Sequence, residues 1–287
     1  MSQAIKKLQL TYEYPHVKWG VLHIFKGIHD YLSKDYEIEF FNNALASNRE
    51  ACGPNSPHSM IIKNPENNKF IAVSYHDRTA DLQEKGNGWD VDNMVQLVST
   101  ANNHLAKNIT PFSYIPYSIE HESIIEEIYT KAPTSRKMVF RGYLYDFRDY
   151  IRGNCPIYQS IEERKMLRDY LEEIKSCKIG LSLNGGGEIC HRDLEILGLQ
   201  VPLFRPFLKS TMHEPLKPFE HYIAFDLGRN HEETFRNMIQ TYYRVIDDNT
   251  LLNEIMHNGR KWYERNGTVA KNIEIATKIL DIKKLFE

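Results

Sequence analysis

The sequence has no long hydrophobic run and no excess of basic residues. No apolar stretch approaches the roughly 18 residues that suggest a membrane-spanning helix, and the N-terminal segment MSQAIKKLQL has no hydrophobic region of a signal peptide. Lysine and arginine total 36 against 38 aspartate and glutamate residues, so the net charge is −2. Because nucleic-acid-binding domains usually carry a basic excess, we expect no nucleic-acid partner and no stable membrane insertion.

Cysteine is scarce, and recognisable metal-binding motifs are missing. Cys52, Cys155, Cys177 and Cys190 lie far apart and lack the spacing of metal ligands. They are expected to be free thiols in a reducing compartment, which favours a cytoplasmic location. The 12 histidines form no HExxH motif and no tight His/Asp cluster. The sequence therefore predicts no dedicated metal site.

The most informative stretch is residues 178–206, KIGLSLNGGGEICHRDLEILGLQVPLFRP. Its apolar run from Ile179 to Leu183 predicts a buried strand of an open α/β sheet. Gly185, Gly186 and Gly187 follow, and consecutive glycines permit close approach of another molecule to the backbone. An amphipathic helix is predicted from Glu188 onward, and the run from Val201 to Phe204 predicts the next strand. The order is strand, glycine loop, helix, strand.

A glycine loop that leads into a helix N-terminus is suited to bind an anion. It offers free backbone N–H groups and the positive end of the helix dipole. Arg192 and Arg205 would add positive charge, Glu188 would bind ribose or sugar hydroxyls, and His191 would donate to a phosphate or nucleotide. A second interpretation stays open, in which the glycines form a tight turn and the charged residues a solvated helix face.

The segment GGGEICHRDLEILGLQVPLFRP resembles the donor-domain signature of inverting GT-B glycosyltransferases of the exostosin-like type. The resemblance rests on the small-residue loop, on Glu195 within the helix, and on Gly198, Val201 and Pro202 after it. It covers about thirty residues and is looser elsewhere. The chain is also similar to small glycosyltransferases of large DNA viruses of algae, which include a xylosyltransferase. The two glutamates that bracket this helix in retaining GT-B enzymes do not match here, which favours inversion.

This resemblance implies an α/β fold of the GT-B type, with two Rossmann-like domains that face a cleft. Residues 1–133 would bind the acceptor and residues 134–268 the nucleotide-sugar, with KAPTS at 131–135 as the linker. The last helix, residues 269–287, would cross back to the N-terminal domain. Beside the elements in 178–206, strands are predicted at residues 5–12, 36–41, 59–62, 70–75, 112–115, 137–145 and 222–225, and helices at 17–32, 91–105, 120–129, 161–174, 232–246 and 251–258.

The catalytic residue of such an enzyme is a general base that takes the proton of the acceptor hydroxyl. Asp77 is the first candidate, because it follows a predicted strand whose carboxyl end would point into a cleft. Glu13 and His16, after the first strand, are rivals. Arg141, near the end of the first donor-domain strand, matches an arginine that meets the diphosphate in such enzymes. An ion pair for Asp77 and a surface position for Arg141 remain open.

The sequence therefore predicts a glycosyltransferase that moves a sugar, for example xylose, from a nucleoside diphosphate such as UDP to a hydroxyl of a glycan. No cofactor and no essential metal are expected, since the one Asp-x-Asp pair, Asp90 and Asp92 in WDVD, is interpreted as the N-cap and first turn of a helix. A nucleotide-sugar epimerase or phosphorylase of the same fold, or a non-catalytic nucleotide- or glycan-binding module, remains an alternative.

Overall fold

The computed structural model is an α/β protein whose elements form two compact units, which confirms the predicted fold class. Unit 1 comprises Met1–Ser118, Lys209–Pro215 and Thr268–Glu287, and unit 2 comprises Ile119–Leu208 and Leu216–Gly267. The structure describes residues 6–11, 21–40, 59–67, 69–74, 94–98, 109–111, 119–134, 138–140, 146–155, 158–160, 165–184, 188–209 and 212–287.

Unit 1 is built on a six-stranded mixed sheet. Its elements are β1 (Lys7–Thr11), α1 (Val21–Leu32), β2 (Glu37–Phe40), β3 (Ser59–Lys63), β4 (Phe70–Ser74), β5 (Met94–Val98), β6 (Ile109–Pro111), α8 (Val269–Ile279) and a final 3-10 turn (Ile282–Leu285). The strand order is β2-β1-β3-β4-β5-β6. Only β3 runs against its neighbours, so β1, β2, β4, β5 and β6 all end at the same edge of the sheet.

The core of unit 1 joins the two ends of the chain. Leu8 and Leu10 of β1 and Phe25 of α1 lie in one buried cluster with Ala276 of α8. A Cβ added to Gly27 of α1 would lie 2.5 Å from an Ile273 side-chain carbon, so glycine permits the close approach of α1 and α8. The predicted return of the last helix to the N-terminal part of the chain is confirmed.

Unit 2 is a doubly wound α/β unit. Its elements are α2 (Ile119–Ile128), β7 (Met138–Phe140), α3 (Phe147–Asn154), β8 (Tyr158–Ser160), α4 (Leu167–Ser176), β9 (Gly180–Leu181), α5 (His191–Gly198), β10 (Leu203–Pro206), β11 (Ile223–Phe225), α6 (His231–Val245) and α7 (Asn249–Asn266). β9, β10 and β11 pair in parallel, as do β7 and β8, and β7 lies beside β9. The strands form a three-stranded sheet, β9-β10-β11, and a separate two-stranded sheet, β7-β8. Because β7 lies beside β9, the two sheets side by side follow the order β8-β7-β9-β10-β11; α3 contacts α6, and α5 contacts α2, α4 and α7.

This order places a topological switch point between β7 and β9. The connection from β7 leads outward to β8, whereas the connection from β9 leads the opposite way to β10. In open α/β sheets, ligands bind in the crevice outside the carboxyl ends of the strands at such a point. The glycine segment that follows β9 therefore leaves the sheet where this topology favours a ligand.

Several predicted elements differ from the structure. The helix predicted for residues 91–105 is wrong, because 94–98 form β5, paired with β4 and β6. A short apolar segment is compatible with both the helical period and the strand period of hydrophobic residues, and pairing within the sheet decided for the strand. Because the predicted helix is absent at residues 94–98, the interpretation of Asp90 as its N-cap is no longer supported. The strand predicted at 112–115 lies outside the described residues, and a strand that was not predicted precedes it at Ile109–Pro111.

Three helices also differ in extent or in the unit to which they belong. α4 begins at Leu167, later than predicted, because the backbone of its N-cap residue Met166 is extended, with a ψ of 148°. α7 continues past residue 258, since Gly259 fits inside the helix where an added Cβ would lie 2.9 Å from the carbonyl oxygen of His221. α2, which the sequence assigned to the N-terminal domain, packs on α4 and α5 and belongs to unit 2.

Candidate functional site at the switch point of unit 2

The start of α5 is fixed to the end of β9 by local hydrogen bonds. The Cys190 backbone N–H donates to Asp193 Oδ2 at 2.7 Å, which completes a capping box at the helix N-terminus. The Cys190 sulfur lies 3.3 Å from the hydroxyl oxygen of Ser182, the residue that follows β9. Burial raises the pKa of the Cys190 thiol to about 11, so at neutral pH this group is an uncharged part of the turn. The segment between Asn184 and Glu188 is thereby held at its helical side.

Arg205 of β10 connects the two flanks of the glycine segment. Its Nη2 donates to Glu188 O at 2.6 Å and to Asn184 Oδ1 at 3.2 Å. Its Nη1 lies 2.8 Å from Asp193 Oδ1, and both of these side chains are almost completely buried. The sequence predicted Arg205 as a ligand-facing charge. In the structure its charge is matched by Asp193, and its hydrogen bonds position the residues on either side of Gly185, Gly186 and Gly187.

A second arginine reaches the same point from α3. Arg148 Nη2 donates to the carbonyl oxygens of Leu183 at 3.0 Å and of Asn184 at 2.6 Å. The guanidinium carbon of Arg148 lies 4.9 Å from the ring centroid of Phe140, and that of Arg192 lies 4.0 Å from the same centroid. Two guanidinium groups therefore flank the last residue of β7, beside the carboxyl end of β9. These two guanidinium groups form a cationic wall around Phe140.

Glu195 belongs to a buried polar cluster behind this wall. Tyr170 of α4 donates its hydroxyl proton to Glu195 Oε2 at 2.6 Å, and His121 Nε2 of α2 lies 3.6 Å from Glu195 Oε1. Burial raises the pKa of the Glu195 carboxyl. Burial, with a smaller contribution from nearby His191, lowers the pKa of His121 to about 4. The cluster thus joins α2, α4 and α5, and Glu195 takes part in helix packing.

The other predicted donor residues are placed differently. Glu188, His191 and Arg192 are half-buried around the start of α5, where the helix N-terminus and its dipole also lie. Of the eight donor-site residues predicted beside Arg205, the structure places His191, Arg192 and Glu195 on α5 and Glu188 just before it. Arg141, Gly185, Gly186 and Gly187 lie outside the described residues.

The three candidate bases, Glu13, His16 and Asp77, also lie outside the described residues. The strands that precede them are nevertheless informative, because β1 and β4 end at the same edge of the unit 1 sheet. β3 separates these two strands, so their ends are roughly 10 Å apart at the usual strand spacing. Asp90 and Asp92 precede β5, which begins at the opposite edge.

One pair of residues at the site was not predicted from the sequence. His231, the first residue of α6, lies with its Nε2 2.7 Å from Asp146 Oδ1, just before α3. The rings of Phe147 and Tyr150 lie 5.9 and 5.8 Å from the His231 ring. No local motif signals this pair, because its members follow two different strands, β7 and β11. Only the packing of α3 against α6 brings them together.

Neither a metal cluster nor a membrane-spanning helix is found where the structure describes the chain. No group of three or more His, Cys, Asp or Glu side chains there has an arrangement suited to a metal ion. No helix in the described ranges is both long enough and apolar enough to cross a bilayer. The site in unit 2 thus consists of arginines, helix-terminal amides and a capped turn.

Comparison with known proteins yields no match to a family model and none to a curated protein. The chain is similar to a solved α1,3-fucosyltransferase with GDP-fucose, at 11% identity and a TM-score of 0.48, over 98% of this chain and 92% of that one. It is similar to TarM at 9% identity and a TM-score of 0.40, over 79% and 64%. It is similar to a GtfA/B complex at 9% and 0.41, over 80% and 65%. None of these loose likenesses establishes a family.

Proposed function

We propose that the protein is a glycosyltransferase that transfers a sugar from a nucleoside-diphosphate sugar to a hydroxyl group of a glycan, with inversion at the anomeric carbon. The observation that carries this proposal is the pair of hydrogen bonds that Arg205 Nη2 donates to Asn184 Oδ1 and to Glu188 O. The two flanks of the glycine segment are thus fixed at the switch point, where ligands bind in open α/β sheets and where a helix N-terminus favours a diphosphate. The resemblance of residues 185–206 to GT-B donor domains supports the same ligand.

In the proposed reaction, a base removes the proton of the acceptor hydroxyl while its oxygen attacks the anomeric carbon. The bond from that carbon to the diphosphate oxygen breaks, and the nucleoside diphosphate leaves with the bonding electrons. Asp77 is the proposed base, with Glu13 and His16 as rivals. The ends of β1 and β4 at one sheet edge support placing all three candidates near one acceptor.

The charge that builds up on the leaving diphosphate needs positive groups that are already in place. The proposed groups are the N-terminal amides of α5, the backbone amides of the glycine segment, Arg192 and Arg141. His191 and Glu188 are proposed to contact the phosphate and the ribose hydroxyls. Arg205 and Arg148 enter as positioning residues, because their described hydrogen bonds all go to backbone or side-chain groups of the protein. No step in this scheme requires a metal.

The finer parts of the proposal concern the donor. Xylose is the proposed sugar and UDP the proposed nucleotide, on the resemblance to the viral glycosyltransferases. The solved α1,3-fucosyltransferase holds GDP-fucose, which makes GDP-sugars the natural comparison set. Residues 134–268 are proposed as the donor-binding part and residues 1–133 as the acceptor-binding part.

A thermal-shift screen tests donor binding directly. The full chain is heated with UDP-xylose, UDP-glucose, GDP-fucose and the free nucleotides, each at about a hundred times its Kd, where binding adds about 2.7 kcal/mol to stability. The expected result is stabilisation by at least one nucleotide-sugar and acceptor-dependent release of nucleoside diphosphate. Release only with phosphate, or a product that is an epimer of the donor, would favour the epimerase or phosphorylase alternative. Binding without any turnover would favour the non-catalytic module.

A further inference from the structure

A polar groove beside β11 lies apart from the residues that follow β9. Its volume is about 480 Å³, within the range of small-molecule pockets. One wall is formed by α6 and the other by two phenylalanines, and the end of β11 forms the floor. We call it the β11 groove, and the residues that matter for its chemistry are Phe207, Phe219, Asp226, Asn237, Gln240 and Arg244.

Phe219 is held in this groove in an unfavourable backbone conformation. Its φ is +60°, in the left-handed region that glycine prefers, although it carries a large side chain. A tight turn maintains this geometry: the Phe219 N–H donates to Tyr222 O at 2.6 Å, and the His221 N–H donates to Lys217 O at 2.9 Å. Strain of this kind in a rigid turn is concentrated at functional sites.

The ring of Phe219 remains available to a ligand. The residue is 39% exposed, so core packing does not explain why a phenylalanine occupies the strained position. Its ring meets Phe207 edge-on at 6.5 Å, and the guanidinium carbon of Arg244 lies 5.6 Å from its centroid. These two contacts fix the ring orientation at the groove wall. The turn thereby presents to the groove the part of the ring that Arg244 does not cover.

The opposite wall supplies groups that bind hydroxyls. Asn237, Gln240 and Arg244 recur along one side of α6, and Asp226 follows β11. A side-chain amide both donates to and accepts from sugar hydroxyls, a carboxylate accepts from them and a guanidinium donates to them, while an aromatic face packs on the C–H face of the ring. Asp226 and Arg244 carry opposite charges, so the groove has no net positive charge with which to select a phosphate. We propose that the β11 groove binds a neutral carbohydrate ring.

This proposal goes beyond sugar transfer and does not depend on it. A carbohydrate in the β11 groove would tether the protein to a glycan independently of any nucleotide bound after β9. A non-catalytic protein with the same groove would bind the same sugars. The two proposals can therefore fail separately.

Saturation-transfer NMR with the full chain provides the test. The probes are neutral hexasaccharides of xylose, glucose, mannose and N-acetylglucosamine. We expect transfer to at least one of them and a Kd about tenfold weaker in Phe219→Gly, the loss of one well-oriented aromatic contact. The melting temperature of Phe219→Gly should be unchanged or higher, because glycine adopts a φ of +60° without strain. Nucleotide-sugar binding should be unchanged.

Two further variants complete the design. Tyr243→Ala removes an exposed aromatic ring that lies on α6 but does not line the groove. This control variant should leave the Kd for the sugar unchanged. Gln240→Ala removes a hydroxyl-binding amide from an exposed helix position and should weaken the Kd without unfolding the protein. The proposal would be overturned if no hexasaccharide showed saturation transfer, or if Phe219→Gly and Gln240→Ala both bound sugar with wild-type affinity. Binding of UDP or GDP that depends on Phe219, in place of sugar binding, would overturn it as well.

Discussion

The guanidinium of Arg205 lies 2.8 Å from the carboxylate of Asp193, and the two side chains are only 1% and 0% exposed. This ion pair connects β10 to the first turn of α5, and two hydrogen bonds of Arg205 reach both flanks of the glycine segment. Arg205 thereby holds Asn184 and Glu188 in place relative to α5. The charge of Arg205 is balanced by Asp193 inside the protein. Arg205 therefore shapes the site, and other groups are proposed to bind the anion.

Arg205→Met should be strongly destabilising, because it leaves the Asp193 carboxylate buried without its partner. Breaking a buried pair in this way costs about 3–5 kcal/mol, measured as the free energy of unfolding in urea. Arg168→Met is the matched control, since its partner Glu127 and Arg168 itself are both about half exposed and such a pair contributes only about 0–1 kcal/mol. A loss below about 1 kcal/mol in Arg205→Met would contradict the assigned role.

Glu195→Gln should show a stability difference that depends on pH. Burial raises the pKa of Glu195 in the folded protein, so folding disfavours its charged form. The stability of the wild type should therefore fall relative to Glu195→Gln as pH rises above about 4.3, the carboxyl pKa of the unfolded chain. Glutamine still accepts the Tyr170 hydrogen bond. Melting temperatures at pH 4 and pH 7 check this, and a constant or opposite difference would show that the Glu195 pKa is not raised.

Gly186→Val should abolish donor binding if the glycine segment contacts the diphosphate. A branched side chain would block the approach of phosphate oxygens to the backbone amides. We expect a large loss of nucleotide-sugar affinity, by calorimetric titration, with a nearly unchanged melting temperature. The structural alternative predicts the reverse pattern, a melting temperature lower by many degrees with normal binding per folded molecule.

Transfer activity should survive EDTA, because arginines and helix-terminal amides are proposed to carry the leaving-group charge. The comparison is turnover before and after chelation, with Mg²⁺ added back. Complete loss that Mg²⁺ reverses would refute the metal-free scheme and point to Asp90 and Asp92. Because Met94–Val98 form a strand, helix capping no longer explains these two aspartates. Metal binding would then be the next role to test for them.

Asp77→Asn should lower turnover by about 10²–10⁴-fold, the usual contribution of a general base. Donor affinity should be almost unchanged, since the proposed base acts on the acceptor. Glu13→Gln and His16→Ala are the parallel variants, and the ends of β1 and β4 at one sheet edge justify testing all three. Near wild-type transfer by Asp77→Asn would remove Asp77 from the mechanism.

The return of the last helix was implied by the resemblance to GT-B enzymes, whereas the sequence alone determined the α/β class and the strand–glycine–helix–strand order of residues 178–206. These features depend on local periodicity and on glycine, and local signals of that kind are written into consecutive residues. The same signals failed at residues 91–105, where an apolar segment compatible with both periods became β5. Pairing with β4 and β6, which lie elsewhere in the chain, settled that segment.

Only the tertiary structure decided which charged residues face inward. Arg205 and Glu195 belong to the same sequence motif as Glu188 and His191, yet Arg205 is neutralised by Asp193 and Glu195 is buried with Tyr170 and His121. Sequence patterns likewise did not predict the pair of Asp146 and His231 or the strained backbone of Phe219. The physical reason is that burial and ion pairing depend on side chains from distant elements, whereas periodicity reports only on neighbours along the chain.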